Sequence, residues 1–473
     1  MKNFIPIFSN YGSITDCNHD KTWTSEDISK KTLLTAKKLL AMGLENGDNV
    51  FIKHSELPDF FSQLLAIWSL GCSVSCLNPT ITDEELHNLI SFMSPNFLIE
   101  KNEIKIISNL KDEDKLTANS YNFLDNPALI LFTSGTTGIP KAVVHSYRSI
   151  ISRISLNQKH IKKSNLENTL CLLPMHFGHG LIGNSLTPFL TGSNLFILKN
   201  NLKNLSNINY FLEKYSITFM SSVPSMWKTI IKLSPKKNIK SLNRIHIGSS
   251  PLSADLWNEV IEWSGGSEVV NMYGITETAN WFSGASSKSY IPEDGLVGKP
   301  WGGQMAILQN NRLHKSGEGE VVLNTPSMMS YYFKQTKLNN LTFLNNWYKT
   351  GDFGVIDKNN TLLIKGRLKN EINRAGLKVI PEDIDLLLEK NSEVLEACCF
   401  GIEDEILGEK VCVAVVLKEN SKQNALELKT WMSSKITREK IPEKWFFVSE
   451  IPRNDRGKVN RQNVAEYCRI NYE

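Results

Sequence analysis

Residues 132–141 read Phe-Thr-Ser-Gly-Thr-Thr-Gly-Ile-Pro-Lys, and this stretch says most about the fold of the chain. Glycines let a backbone turn tightly and approach a phosphate. The freed N–H groups and the hydroxyls can then donate to phosphate oxygens, while the lysine offsets their charge. The stretch therefore predicts a polyphosphate-binding loop. Its candidate ligands are Thr133, Ser134, Gly135, Thr136, Thr137, Gly138 and Lys141.

The sequence around this loop excludes one common kind of phosphate-binding loop. A Walker loop needs Gly-Lys followed by Ser or Thr at the start of a helix. Here Pro140 precedes the lysine and an alanine follows it. Apolar runs at 128–132 and 142–144 flank the loop, which argues against an ordinary surface loop. The pattern predicts strand, loop and strand, with a helix only after Ser146.

The size and charge of the chain narrow its class. Its 473 residues exceed the roughly 250–300 residues that one hydrophobic core serves, so at least two domains are expected. The net charge of +4 is too small to indicate binding to nucleic acid or to a membrane surface. The most apolar region, 60–77, is interrupted by polar residues. It predicts a core helix and a buried strand rather than a membrane span.

The cysteines and the N-terminus indicate a cytoplasmic setting. None of the eight cysteines lies in a paired C-x-x-C pattern with histidines at zinc spacing. Most lie in apolar runs, which favours buried free thiols and a reducing compartment. The first twelve residues contain no long apolar stretch and no small-residue cleavage site, so no signal peptide is expected.

The order of the predicted elements indicates an α/β fold. Helical periodicity over 25–42 is followed by a strand over 49–52, and this alternation recurs as far as about residue 247. From about residue 303 the pattern changes to short strands and turns, and a compact βαβ-like tail follows. The change of pattern places a domain boundary near 366–369.

Three further segments carry residues suited to nucleotide chemistry. Residues 271–278, Asn-Met-Tyr-Gly-Ile-Thr-Glu-Thr, place a carboxylate for Mg²⁺ beside hydroxyls and an aromatic ring that can stack on a purine. Residues 347–352, Trp-Tyr-Lys-Thr-Gly-Asp, end in a carboxylate that can accept from two ribose hydroxyls. Residues 452–459 place a lysine after a glycine. Each motif alone is weak, because a simple turn can have the same residues.

Together with the loop 132–141 and Gly366-Arg367, these segments resemble the five motifs of the adenylate-forming superfamily, in family order and spacing. That superfamily includes acyl- and aryl-CoA synthetases, peptide-synthetase adenylation domains and beetle luciferases. The resemblance covers nearly the whole chain. It implies an α/β fold whose large N-terminal domain, 1–367, has layered sheets and a small β-barrel-like subdomain. A small mobile α+β C-terminal domain follows over 368–473, with Lys369 as the hinge.

The resemblance also implies roles for individual residues. Lys458 matches the lysine that bridges the substrate carboxylate and the α-phosphate, where charge develops during attack. Lys141 and Thr276, both on the phosphates, complete the expected catalytic set, and Glu277 is the expected Mg²⁺ ligand. The rest of the implied nucleotide site comprises residues 133–138, Ser249, Ser250, Pro251, Asn271, Met272, Tyr273, Gly274, Asp352 and Arg367.

The acid-binding pocket is expected, by the same resemblance, around residues 174–181. His-Gly-Leu within this stretch also occurs in ligases for malonate and oxalate. Those relatives hold the second carboxylate with an arginine after the magnesium glutamate, and residues 278–298 contain no arginine. Asn280 and Trp281 suggest a small or medium-sized acid that is hydroxylated or aromatic. For His179, a packed role and a substrate contact both stay open. The expected pocket residues are His176, Phe177, Ser222, Val223, Gly248, Gly274 and Asn280.

The implied reaction uses ATP and Mg²⁺ to convert a small carboxylic acid to an acyl-adenylate with release of pyrophosphate. Rotation of the C-terminal domain then allows transfer to a thiol. CoA is the expected acceptor, and phosphopantetheine on a carrier protein in trans is the alternative. A luciferase-like oxygenase and a non-catalytic nucleotide-binding relative are two further classes. The presence of Lys141, Glu277 and Lys458 argues against the second of them.

Overall fold

The computed structural model describes residues 11–101, 103–107, 122–133, 141–374, 377–404, 408–454 and 457–472. These residues form three sheets flanked by helices, so the predicted mixed α/β class is confirmed. Within these ranges, no helix has both the length and the apolar character needed to cross a bilayer.

The first sheet has seven strands among the described residues and carries the predicted phosphate loop at one end. Four neighbouring strands, from 97–100 to 127–133, run parallel. Parallel neighbours need crossover connections, which the helices Asp59–Ser69 and Asp83–Met93 provide. The strand order is Tyr331–Tyr332, Lys141–Ser146, Pro127–Thr133, Ser73–Cys76, Asn49–Ile52, Phe97–Glu100 and Glu103–Ile106.

The second sheet is the largest, with fifteen strands in the described part of the chain. Neighbouring strands from Ile14–Asp16 to Glu268–Ile275 run parallel, except that the edge strand Lys21–Trp23 is antiparallel to Ile14–Asp16. From Asn280–Ser286 onward the pairing is antiparallel. From one edge to the other, the order is Arg312–His314, Gln304–Gln309, Gly317–Asn324, Trp347–Ile356, Leu362–Arg367, Leu296–Pro300, Asn280–Ser286, Glu268–Ile275, Arg244–Ile247, Phe219–Ser222, Asn168–Cys171, Asn194–Ile197, Ile14–Asp16 and Lys21–Trp23. Phe343–Leu344 pairs with the fourth of these strands.

The predicted small β-barrel-like subdomain is not closed. Its strands continue the second sheet, because Leu362–Arg367 pairs with Leu296–Pro300 and so joins the antiparallel half to the rest. The far edge, Arg312–His314, pairs only with Gln304–Gln309 among the described strands. The short strands and turns seen in the sequence are therefore an open extension of the sheet.

The third sheet lies in the C-terminal region and has its own hydrophobic core. Its order is Leu377–Val379, Ile372–Arg374, Gly408–Leu417 and Val394–Asp404, with Lys444–Phe447 paired to the third strand. Apolar clusters cover both faces of the long hairpin 394–417: Val413 belongs to one and Cys412 to the other. This arrangement follows from the alternation of side chains along a strand.

The helices begin where the sequence supplies caps. Thr24 caps Ser25–Ala41 and Thr82 caps Asp83–Met93, each in a reciprocal capping box with an acidic residue three positions later. The helix Asp59–Ser69 is apolar on nearly every side and is buried accordingly. The other α-helices are Tyr147–Ile161, Lys163–Leu166, Thr187–Phe189, Leu202–Ser206, Ile208–Lys214, Pro224–Leu233, Ala254–Trp263, Thr336–Thr342, Pro381–Glu389, Ala425–Ser433 and Arg461–Tyr472.

The cysteines are buried free thiols, as predicted. All eight lie in the described residues and none is in a disulfide. Burial, assisted by the nearby Asp16 carboxylate, raises the pKa of Cys17 to about 12. Within the described residues no group of three His, Cys, Asp or Glu side chains could hold a metal ion.

Candidate active site

Three neighbouring parallel strands end at one edge of the second sheet, and the predicted site residues cluster there. The strands are Phe219–Ser222, Arg244–Ile247 and Glu268–Ile275. Their carboxyl ends carry Ser222, the Gly248–Ser249 turn and the Tyr273–Thr276 segment respectively. Ligands of open α/β sheets bind outside the carboxyl ends of strands. This edge is therefore the natural position for a nucleotide and an acid.

The strands that flank the predicted phosphate loop form a hairpin. Thr133, which ends one strand, pairs with Lys141, which begins the other. Ser146 then caps the helix Tyr147–Ile161, because its Oγ accepts from the Ser149 N–H at 3.2 Å. Both predicted strands and the following helix are confirmed. The predicted ligands Ser134, Gly135, Thr136, Thr137 and Gly138 lie outside the described residues.

Lys141 is held by an aromatic residue that the sequence did not single out. Its ammonium lies 5.4 Å from the centroid of the Tyr332 ring, within the range of a cation–π contact. Tyr332 belongs to the short strand Tyr331–Tyr332, which pairs with the strand that begins at Lys141. The base of the predicted loop is thus fixed against a ring that belongs to a distant part of the chain.

The turn Thr276–Thr278 carries the predicted magnesium carboxylate and is anchored through its backbone. Each of its three carbonyl oxygens accepts a hydrogen bond from another element. The donors are His145 Nε2 to Thr276 at 2.9 Å, the Met329 N–H to Glu277 at 2.7 Å, and Arg153 Nε to Thr278 at 3.3 Å. His145 and Arg153 follow the phosphate loop directly in the chain. The turn is therefore fixed relative to the strand Lys141–Ser146 and the helix Tyr147–Ile161.

Burial lowers the pKa of both His145 and Arg153. Desolvation, and next the nearby Arg153, lowers the pKa of His145 to about 4, so its imidazole is neutral at pH 7. Desolvation lowers the pKa of Arg153 to about 9, so this guanidinium keeps its charge. Arg153 is fully buried, and no carboxylate among the described residues pairs with it. A buried arginine of this kind has no sequence signature, which is why the sequence analysis missed it.

The Glu277 side chain ends a chain of buried hydroxyls. The Tyr332 hydroxyl donates to Glu277 Oε1 at 2.6 Å, and the Tyr348 hydroxyl lies 2.8 Å from that of Tyr332. Burial, and next the Glu277 charge, raises the pKa of both phenols, so both keep their protons at neutral pH. These hydrogen bonds fix the orientation of the Glu277 carboxylate.

The predicted ribose carboxylate lies in a three-residue network. Asp352 is 2 % exposed. Its Oδ2 accepts from the Tyr273 hydroxyl at 2.6 Å, and its Oδ1 lies 2.8 Å from Arg367 Nε. Asp352 and Arg367 face each other in register on adjacent strands. Three residues predicted from separate motifs to bind the nucleotide are thus brought together.

His179 lies in the predicted acid pocket and is engaged through both ring nitrogens. Nδ1 is 2.7 Å from Ser249 Oγ and Nε2 is 2.6 Å from Ser221 Oγ. Burial, and next the Lys458 charge, lowers the pKa of His179 to about 3, so the ring is neutral. Both ring nitrogens are therefore within hydrogen-bond distance of serine hydroxyls, as the packed interpretation of His179 expects. Ser221, one residue before the predicted Ser222, was missed.

Gly183, Asn280 and Trp281 pack against one another in a wall next to His179. A Cβ on Gly183 would lie 1.9 Å from Asn280 Nδ2, so only glycine leaves room for this amide. Ala279 and Asn280 both have left-handed backbones, with φ of 55° and 99°. Asn280 is 7 % exposed, and neither its Nδ2 nor the Trp281 Nε1 has a hydrogen-bond partner among the described residues. Two buried donors are therefore available at this wall.

Other predicted pocket and nucleotide residues are used inside the protein. The Ser222 hydroxyl donates to the His246 carbonyl and accepts from Trp227 Nε1 at 2.6 Å. Asn271 Nδ2 donates to the Leu296 carbonyl at 2.8 Å. Some of the remaining predicted residues are buried and others face the surface of the site. Met272 and Gly248 are buried, Pro251 is exposed, and Val223, Gly274, Ser250, His176 and Phe177 are half-buried.

Lys458 approaches this site from the C-terminal region. The neighbouring Gly457 lies against the start of the helix Pro224–Leu233, where an added Cβ would be 3.2 Å from Ser225 Oγ. The Lys458 charge is close enough to His179 to add to the lowering of its pKa by burial. The Lys458 N–H donates to Asn454 Oδ1 at 3.0 Å, which shapes the loop. The predicted catalytic lysine thus lies near His179.

The predicted hinge residue lies close to the cations of the nucleotide site. Lys369 lies in the turn Leu368–Asn370, directly after the strand that carries Arg367. Burial, followed by the charges of Arg367 and Lys141, lowers the pKa of Lys369. The next residue, Asn370, donates from Nδ2 to Glu382 Oε1 at 3.0 Å. This hydrogen bond connects the turn to the helix Pro381–Glu389.

Comparison with known proteins agrees with this geometry. The AMP-binding enzyme family matches residues 8–333, and the AMP-binding enzyme C-terminal domain matches residues 383–458. The chain belongs to the AMP-binding enzyme family. This confirms the predicted superfamily and the class of AMP-forming acid–thiol ligases.

Named relatives include a probable CoA ligase of Humulus lupulus, 27% identical over 91% of this chain and 89% of that protein. The oxalate–CoA ligase of Arabidopsis thaliana is 25% identical over 90% and 89% of the two chains. The 2-succinylbenzoate–CoA ligase of Bacillus subtilis is 25% identical over 94% and 93%. The fold matches that of Bacillus subtilis o-succinylbenzoate CoA synthetase in complex with ATP and magnesium. That match has a TM-score of 0.82 and 22% identity, over 96% and 97% of the two chains.

Proposed function

We propose that this chain activates a small carboxylic acid with ATP and transfers the acyl group to the thiol of CoA. The position of Lys458 carries the proposal. This lysine comes from the C-terminal region, yet its charge is near enough to His179 to lower the pKa of that ring, and His179 is hydrogen-bonded to Ser221 and Ser249 at the strand ends. The named relatives are CoA ligases, which supports CoA as the acceptor.

The nucleotide has a matching set of groups along the sheet edge. Asp352 would accept from the ribose hydroxyls, with Tyr273 and Arg367 orienting it as they do in the structure. Lys141 and the loop that it closes would bind the β- and γ-phosphates. The turn of Ser249, which has φ of 71°, would line the base. Each of these roles follows from the class of enzyme and the observed positions.

The donor set at Glu277 fits Mg²⁺ held mainly by phosphates. Mg²⁺ usually keeps several waters and binds through one or two carboxylates plus substrate phosphates. Glu277 is one carboxylate on an anchored turn, and no cluster of three ligating side chains exists in the described residues. Glu277 would therefore hold the ion, which neutralises charge on the phosphates when bound.

The chemistry then consists of two displacements. A carboxylate oxygen of the acid attacks the α-phosphorus of ATP, the bond to the bridging β-oxygen breaks, and pyrophosphate leaves. Lys458 would stabilise the charge that develops at the α-phosphate. The thiol sulfur next attacks the acyl carbon, gives up its proton, and displaces AMP. We place the hinge for the change between the two steps at Lys369, with the domain border between Arg367 and Leu368.

The acid pocket favours an acid without a second carboxylate. No arginine occurs between residues 278 and 298, and a lone buried carboxylate would be costly without a cation. The unpartnered donors of Asn280 and Trp281 suit a neutral acceptor on the acid, such as a hydroxyl or carbonyl oxygen. Asn280 packs over Gly183 and so limits the length of the acid.

AMP formation with a panel of carboxylic acids, with and without CoA, tests this function. We expect AMP release that depends on CoA and is greatest with a small monocarboxylic acid carrying an oxygen substituent. The best signal from long-chain fatty acids or from oxalate would overturn the substrate class. AMP release that requires a phosphopantetheinylated carrier protein would overturn CoA as the acceptor. Failure of every acid in pyrophosphate exchange would overturn the activity itself.

A further inference from the structure

Two tyrosines connect the elements that surround the proposed metal site. Tyr332 lies on the strand paired with the one that begins at Lys141, and Tyr348 lies four residues before Asp352. Their hydroxyls are 2.8 Å apart, and that of Tyr332 is 2.6 Å from Glu277 Oε1. Two phenol groups therefore link the residues that would contact the β- and γ-phosphates, the metal and the ribose.

The direction of the hydrogen bonds between Tyr348, Tyr332 and Glu277 follows from Glu277, the last residue of the series. Glu277 accepts, so the Tyr332 proton points to it, and a tyrosine has one hydroxyl proton. The hydrogen bond between the phenols must then use the Tyr348 proton. The direction is Tyr348 to Tyr332 to Glu277, and each bond in such a chain strengthens the next. One oxygen of the Glu277 carboxylate is thus occupied from within the protein.

The same ring also contacts the phosphate-loop lysine. The face of Tyr332 lies under the Lys141 ammonium at 5.4 Å, while its hydroxyl reaches Glu277. Tyr332 and Tyr348 are 1 % and 5 % exposed, and both pack in one small apolar cluster with Val143 and Met329. A rigid ring held on all sides keeps the lysine and the carboxylate at a fixed separation.

We propose that Tyr332 and Tyr348 are positioning residues that orient the Glu277 carboxylate toward the metal and couple it to Lys141. This rests on the proposed metal role of Glu277. Partners that orient a metal ligand through its second atom change metal affinity by about 10- to 100-fold when removed. Phenylalanine keeps the ring and its packing and removes only the hydroxyl, so the substitution isolates this function.

The test measures Mn²⁺ binding in the presence of a non-hydrolysable ATP analogue, from the electron paramagnetic resonance signal of free Mn²⁺. We expect Tyr332→Phe to weaken Mn²⁺ binding by about 10- to 100-fold. Tyr348→Phe should have a smaller effect, because the Tyr348 hydroxyl is hydrogen-bonded to that of Tyr332, which donates to the carboxylate. Tyr331→Phe, the neighbouring half-buried tyrosine, is the matched control and should bind as the wild type does.

The outcomes separate this proposal from the function on which it rests. Glu277→Gln should weaken Mn²⁺ binding strongly, and unchanged binding in that variant would refute the metal role itself. If Glu277→Gln weakens binding but Tyr332→Phe leaves it unchanged or tighter, the positioning role is wrong. Thermal unfolding midpoints show whether each variant folds. If Tyr332→Phe does not fold, unchanged Mn²⁺ binding in Tyr348→Phe overturns the proposal.

Discussion

The Lys390 ammonium lies 2.8 Å from the Asp294 carboxylate, and this ion pair joins the C-terminal region to the large sheet. Asp294 also accepts from the Ala254 N–H at 2.7 Å, so its position is set by the start of the helix Ala254–Trp263. A second pair, Lys228 with Glu389, lies nearby at 3.9 Å. Both pairs connect residues on opposite sides of the proposed hinge, so rotation about Lys369 would break them.

The first prediction concerns the Lys390–Asp294 pair. Lys390→Met should slow acyl-adenylate formation by about 1.4- to fivefold, because a half-exposed ion pair contributes roughly 0.2–1 kcal/mol. Thiolation of a supplied acyl-adenylate should not slow, since that step requires the pair to open. Single-turnover kinetics of the two half-reactions measure this. Lys422→Met, at an exposed lysine of the same region, is the control, and equal slowing of both half-reactions would contradict the prediction.

The second prediction concerns Lys458. Lys458→Ala should reduce adenylate formation by about 10²- to 10³-fold, which is the usual effect of removing one group that stabilises transition-state charge. Thiolation of a supplied acyl-adenylate should stay within a few-fold of the wild-type rate. Lys418→Ala removes an exposed lysine elsewhere in the C-terminal region and should change neither step. Equal loss of both half-reactions in Lys458→Ala would show that this assignment is wrong.

The third prediction concerns pH and His179. The pKa of its ring is lowered to about 3 in the folded protein, against about 6.5 when unfolded. The unfolded chain therefore binds the proton first, and the stability contributed by neutral His179 is complete above pH 6.5 and is lost as the pH falls toward 3. Between pH 7 and pH 5 this loss amounts to about 2 kcal/mol.

Urea unfolding of the wild type and of His179→Gln at these two pH values checks this. The variant should be less stable at pH 7, and its stability should fall less by pH 5. His145, whose pKa is lowered to about 4, supplies a background dependence of the same sign in both proteins. The exposed His314→Gln is the control for loss of a surface histidine. An identical fall in wild type and His179→Gln would contradict the prediction.

The fourth prediction concerns the wall formed by Gly183 and Asn280. Gly183→Ala should impair acid binding, because its methyl group would lie 1.9 Å from Asn280 Nδ2 and displace that side chain. Asn280→Gly removes the obstacle and keeps the backbone at φ of 99°, which glycine tolerates. The double variant should therefore bind acid better than Gly183→Ala alone.

KM values for a series of acids and for ATP measure this effect. Asn280→Gly should shift the preference toward longer acids while the KM for ATP stays unchanged. Asn280→Ala is the matched comparison, since it removes the same amide but strains the left-handed backbone. A parallel rise in the KM for ATP would place Asn280 outside the acid pocket.

The sequence predicts the residues on the nucleotide side of this site better than it predicts the buried residues that hold them in place. Tyr273, Asp352 and Arg367 were recognisable because each lies in a motif whose chemistry is local. Tyr332 and Arg153 were not, because their function depends on partners that only tertiary folding brings near. The open end of the large sheet was missed for a related reason. Short strands and turns do not reveal whether the strands close into a barrel or continue an existing sheet. Here Leu362–Arg367 pairs with Leu296–Pro300, a strand of the large sheet.

The buried cysteines give this protein a built-in reporter of its own opening. Four thiols, at positions 17, 72, 76 and 171, lie before the proposed hinge, and four, at positions 398, 399, 412 and 468, lie after it. Because burial shields them and raises the pKa of Cys17 and Cys398, alkylation requires local or global opening. Pulsed alkylation read by mass spectrometry would therefore time the unfolding of the region before the hinge and of the region after it separately, without an engineered label.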